Sequence, residues 1–140
     1  YPMASRRQKQ EVLAALRDGG IVPVIRADSA DTALRIVDAL VSGGIRTLEI
    51  TMTVPDAIGA IKAVSDRFGS SVLLGAGTVT SRALAEGSLD AGAEFLVTRS
   101  IDLGASGCRT ETAGGLSLRI ALMRLACVFP SNAFLEVSIS

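Results

Sequence analysis

Two hydrophobic rhythms alternate along the chain, one with helical and one with strand spacing. Between residues 5 and 18, Val12, Leu13 and Leu16 stand among charged and small residues, and the run stops at Asp18-Gly19-Gly20. This predicts a short amphipathic leading helix with a glycine stop. Ile21-Val22-Pro23-Val24-Ile25 follows as an unbroken apolar run, the pattern of a strand buried on both faces. Pro23 has no N–H to give to a ladder and argues for a strand start or an edge position. Ser29 and Asp31 are candidate N-caps for a helix with Ala33, Leu34, Ile36, Val37, Leu40 and Val41 at helical spacing, ending at Ser42-Gly43-Gly44.

The alternation repeats. Arg46–Thr51 reads as a strand, and Pro55 and Asp56 open a helix that turns Ile58, Ile61, Val64 and Phe68 to one side before Gly69 closes it. Val72–Ala76 is the next strand, Ser81–Ala91 the next helix with Gly92 as its stop, and Glu94–Thr98 a fourth strand. Strand-then-helix units recurring about every 25 residues predict a parallel sheet with right-handed crossovers over residues 21–98. After Thr98 the period fades. Residues 99–117 are rich in Gly, Ser and Thr and read as loop, 116–129 as a short helix and strand before Pro130, and the tail Phe134–Ser140 alternates like a strand.

At 140 residues the chain has room for one domain, and 49% hydrophobic against 20% charged residues supply enough apolar side chains for a core. Fourteen basic residues balance fourteen acidic ones, which argues against a nucleic-acid or anionic-membrane partner held by bulk electrostatics. There is no His, and Cys108 and Cys127 are the only cysteines, so His-dependent triads and His-Cys zinc clusters are excluded and no metal is expected. No stretch approaches the ~20 apolar residues of a membrane span, and the basic start lacks the apolar core of a secretory signal. A cytoplasmic protein with reduced thiols is the expectation.

Candidate chemistry gathers at strand ends. Glu49 lies inside the apolar run Leu48-Glu49-Ile50, where a carboxylate is costly to bury unless it is paired or hydrogen-bonded. In parallel α/β proteins the C-terminal strand ends face the site, and a carboxylate partly withdrawn from water there has a raised pKa suited to moving protons. The structural alternative is an ion pair with Arg26 or Arg46. Arg26, after the first strand, offers forked donors for a carboxylate or phosphate, or else is a solvated loop cation. Gly75-Ala76-Gly77-Thr78 sets small residues and a hydroxyl at a strand end, as an anion site or as a plain strand-to-helix turn. Thr51 and Thr53 read as strand-end hydroxyls that could also point into the same mouth.

Taken together, P-V-I-R at 23–26, G-G-I-R-T-L-E-I-T-M-T-V-P at 43–55, G-A-G-T-V at 75–79 and A-G-A-E-F at 91–95 resemble the bacterial 2-keto-3-deoxy-6-phosphogluconate aldolases, a family that includes 4-hydroxy-2-oxoglutarate aldolases. The resemblance covers about residues 21–98. It implies a TIM-barrel-like (β/α)8 fold, here an incomplete barrel of four to five βα units, and usually a homotrimer. It also implies cleavage of a 2-keto acid to pyruvate and an aldehyde through a lysine Schiff base, with no cofactor. By the same resemblance Glu49 is the general acid/base, Thr78 holds the pyruvate carboxylate beside Gly77, and Arg26 and Thr53 join in substrate binding. Some relatives carry Arg where Thr53 stands, which throws carboxylate binding onto Arg26 and Thr78.

The chain departs from that pattern at the nucleophile. The family places its lysine in a K-x-F-P motif, and Cys127-Val128-Phe129-Pro130 stands there instead. A thiol cannot form an imine. The two lysines, Lys9 in the leading helix and Lys62 on a helix, lie elsewhere, and Thr98-Arg99-Ser100 replaces the family's small-residue and proline turn. Two outcomes are therefore expected, an aldolase-type enzyme or a non-catalytic half-barrel that binds pyruvate-like anions or a second subunit. A reading frame that differs after about Thr98 would account for residues 99–140. A flavodoxin-like open sheet is less favoured, since no P-loop or acidic metal pocket is present.

Overall fold

A computed structural model of the chain describes residues 7–97 and 134–138. Helix α1 is Lys9–Gly19, with the Gln8 backbone N–H donating to Glu11 Oε2 at 2.6 Å across its first turn. Then come β1 (Val22–Arg26), α2 (Ala30–Ser42), β2 (Thr47–Thr51), α3 (Ala57–Phe68) with a 3-10 turn at Gly69–Ser71, β3 (Leu73–Gly77), α4 (Arg82–Ala91) and β4 (Phe95–Leu96). The last described element is β5 (Phe134–Ser138). The sheet has five strands in the order β4-β3-β2-β1-β5, and every pairing is parallel.

Helix starts follow their side chains. Ser29 accepts a hydrogen bond from the Thr32 N–H at 3.1 Å, Asp56 accepts one from Gly59, and Ser81 one from Leu84 at 3.2 Å, each satisfying an orphan donor of a first turn. Ser29→Ala is expected to lower stability by about 1 kcal/mol without altering the site, measured by denaturant unfolding of both proteins at one pH.

The parallel register separates two faces of the sheet. Ile25, Leu48, Ile50, Leu74, Ala76 and Leu96 point one way and form the main core with helices α2, α3 and α4. The other face carries Val24 and Arg26, Thr47, Glu49 and Thr51, Leu73, Gly75 and Gly77, and Phe95, by the two-residue alternation of strands. Val12 and Leu16 of α1 pack there with Leu73 and Phe95, so α1 covers the N-terminal end of this second face. The polar positions Glu49, Thr51 and Arg26 are left toward the C-terminal end.

Two placements are set by the fold. Pro23 is the second residue of β1, near the strand start open to it, in a strand flanked on both sides, and pairing of β1 with β2 begins at Val24, just after the residue that has no N–H. The tail strand is placed along β1, where a closed barrel's last strand would meet its first, a position that periodicity could not supply. The readings for residues 98–133, and with them Cys108, Cys127 and the 98–100 turn, fall outside the described residues.

Candidate active site

The site is built from the C-terminal ends of three neighbouring strands. Glu49, central in β2, is 3% exposed and paired in register with Gly75 on one side and Val24 on the other. Its carboxylate lies against Gly77, which follows Gly75 on the same face of β3: a Cβ placed on Gly77 would run into Glu49 Oε1 and come within 2.6 Å of Cδ. Only an unsubstituted backbone leaves room for the acid at this depth. Glu49 Oε2 is buried and has no hydrogen-bond partner among the described residues. Burial raises the carboxyl pKa and the Arg26 guanidinium offsets part of that rise, the net effect being a shift from 4.5 to about 7. Between these opposing effects the group is left half-protonated near neutral pH, where a proton carrier works best.

The ion-pair alternative separates into its two partners. Arg46 is turned away, its Nη1 donating to the carbonyls of Val41 at 2.7 Å and Ile45 at 3.2 Å, where it ties off the end of α2. Arg26 ends β1 on the same face as Glu49 and acts on it through its charge.

Thr51 is buried completely and donates to the Ile25 carbonyl at 3.2 Å. Its hydroxyl is 2.6 Å from that of Thr53, and because the single Thr51 proton goes to Ile25, Thr53 is the donor in that contact. Thr53 itself is exposed. These threonines form a chain joining β1 and β2 at their ends.

Thr78 has φ 56°. A β-branched residue in the left-handed region costs roughly 1–3 kcal/mol and persists only where its surroundings impose it. Here both flanks are tied: the Gly77 carbonyl accepts from Met52 N at 2.8 Å, and Val79 N donates to the Val97 carbonyl at 3.2 Å. The turn therefore holds Thr78, partly exposed, directly beyond the Gly77 position that receives Glu49.

The lysines are not at this mouth. Lys62 lies on the exposed side of α3 and pairs with Asp66 one turn on, at 3.1 Å. Lys9 begins α1, the helix that packs over the opposite, N-terminal end of the strands. Among the described residues, no group of three acidic or cysteine side chains comes together to hold a metal ion, and no helix is long and apolar enough to cross a membrane. Phe95, whose ring covers Gly75, escaped the sequence reading, because its place over that glycine depends on cross-strand register.

Residues 12–117 match the family model for KDPG and KHG aldolase. The chain is 34% identical over 97 residues to 2-dehydro-3-deoxy-phosphogluconate aldolase of Zymomonas mobilis, a match covering 68% of this chain and 46% of that protein. It is 33% identical over 90 residues to the KHG/KDPG aldolase of Escherichia coli, covering 64% and 42%. The chain thus spans less than half the length of these two relatives. Among solved structures it is similar to KDPG aldolase from Legionella pneumophila with pyruvate captured as a covalent carbinolamine intermediate, with a TM-score of 0.57 and 31% identity over 72% of this chain and 50% of that one.

Proposed function

Because the chain belongs to the KDPG and KHG aldolase family, we propose that it supplies the proton-carrying and carboxylate-holding half of a carbon–carbon lyase site. The substrate is a 2-keto-4-hydroxy acid, which is split into pyruvate and an aldehyde. The observation that supports this reading is Glu49: a carboxyl group seated against Gly77, with burial lifting its pKa to about 7.

In the proposed reaction a primary amine brought by the other half of the site, since neither Lys9 nor Lys62 stands at this mouth, attacks the C2 ketone to give a carbinolamine. Protonated Glu49 gives its proton to the departing hydroxyl, which leaves as water, and an iminium remains. The Glu49 carboxylate then takes the proton from the C4 hydroxyl. The C3–C4 bond breaks, the aldehyde leaves, and the electron pair is held as an enamine. Return of the proton to C3 and hydrolysis release pyruvate. Arg26 and Thr78 hold the substrate carboxylate, the guanidinium through forked donors. The captured carbinolamine of the Legionella relative supports amine chemistry for that protein.

A second reading is favoured by the lysines. With Lys62 committed to Asp66 and Lys9 at the other end of the strands, the same mouth would bind a pyruvate-like anion without turning it over. Borohydride reduction in the presence of pyruvate separates the two. The lyase reading expects a covalent pyruvyl adduct in the intact mass of whichever polypeptide carries that amine, and its loss when Glu49 is replaced. An unmodified mass, with pyruvate still bound in a calorimetric titration, would overturn the lyase reading in favour of the binding module.

A further inference from the structure

Two glycines of β3 share one face, and each receives a side chain from a different neighbouring strand. A Cβ on Gly77 would strike the Glu49 carboxylate from β2, whereas one on Gly75 would strike ring atoms Cε2, Cζ and Cδ2 of Phe95 from β4. Phe95, Gly75 and Glu49 are successive members of one register row. Adjacent strands are ~4.8 Å apart, so a ring leaning across an unsubstituted middle strand is brought to the flank of the next side chain in the row. The ring is also held from below, since Phe95 packs with Val12 and Leu16 of α1 and with Leu73. Phe95 and Glu49 are 2% and 3% exposed, and nothing polar is placed between them on β3.

We propose that Phe95 is a positioning residue for Glu49: seated on Gly75 and braced by α1, its ring walls the carboxyl group off from water and confines it against Gly77. This deepens the reading of Glu49 as the proton carrier and rests on it for its functional meaning. The apolar wall accounts for burial being the largest influence on the acid. A ring that merely filled the core would not govern the ionisation of a neighbouring carboxylate.

The test is a carboxyl-carbon NMR titration of the full chain labelled at glutamate, with the Glu49 resonance assigned by its loss in Glu49→Gln. Phe95→Leu, and independently Gly75→Ala, which keeps the ring but pushes it off β3, are each expected to lower the Glu49 midpoint by about one unit or more. An unchanged midpoint in either folded variant overturns the proposal. Should both variants fail to fold, the unmodified protein decides: a nuclear Overhauser contact between the Phe95 ring protons and the Glu49 γ-methylene is expected, and its absence overturns the proposal. A lowered midpoint in a protein that forms no borohydride adduct would refute the lyase reading and leave the role of Phe95 standing.

Discussion

Glu49→Gln is expected to remove two properties together, a pH dependence of folding and the transfer of protons to bound substrate. In the unfolded chain a glutamate titrates near 4.5, while in the fold Glu49 titrates near 7. Between these values the native state holds a proton that the unfolded state has lost. Stability therefore falls as pH rises through this window, opposite in sign to the usual salt-bridged carboxylate. Below about 4.5 the acid is neutral in both states and adds no penalty. Above about 7 the full cost of keeping the charge buried is present, on the order of 3 kcal/mol for a shift of this size. Glutamine keeps the shape and discards the titration. Thermal unfolding followed from pH 4 to 8 is expected to lose this downward slope in the variant. An unaltered slope would show that Glu49 is not the group responsible. On the chemical side, loss of a positioned acid/base lowers rates by roughly 10²–10⁴-fold. Exchange of the pyruvate methyl protons for deuterium, followed by proton NMR, reads that step without requiring the full substrate.

Gly77→Ala is expected to do comparable damage by adding one methyl group. The backbone of Gly77 is one that alanine can adopt, so the cost is contact alone: the new Cβ would occupy the space of Glu49 Oε1. Strand β3 is hydrogen-bonded on both sides and gives little, so the glutamate side chain has to leave its position. Overfilling a packed site costs typically 1–3 kcal/mol. The displaced carboxyl regains water, and its midpoint falls from about 7 toward 4.5. Denaturant unfolding and the NMR titration of Glu49 check both halves of this expectation. A variant that is fully stable and still titrates near 7 would mean that the acid does not depend on the glycine for its place.

Much of this site could be read from residue order. The β-branched and leucine-rich runs flanked by capping serines and glycine stops located four of the strands and the helices between them, because each signal is local: Ser29 caps the helix that it begins, and Gly43 follows the helix that it ends. Glu49 stood out because an acid in the middle of Leu-Glu-Ile has few inexpensive reasons to be there. What lay beyond reading is what depends on register. Nothing in G-A-G-T says that one glycine receives a ring and the other a carboxylate, since that follows from which residues of β2 and β4 stand opposite. Arg46 looked as well placed as Arg26 to pair with Glu49, and only the path of the chain turned it to the end of α2. The strain at Thr78 was equally hidden, being imposed by hydrogen bonds from Met52 and to Val97 on either side of it.

The neighbour of β1 on its outer side carries a kinetic consequence. Val22 pairs with Phe134, residues separated by more than 100 positions, whereas the β2 partner of β1 lies one helix away. Contacts spanning most of a chain are slow to form, because a large loop must close before they return any energy. On the ribosome the first strand would emerge long before its second partner and would wait with one rim of hydrogen-bonding groups bare. Such an interval favours capture by a chaperone, or mispairing with another nascent copy.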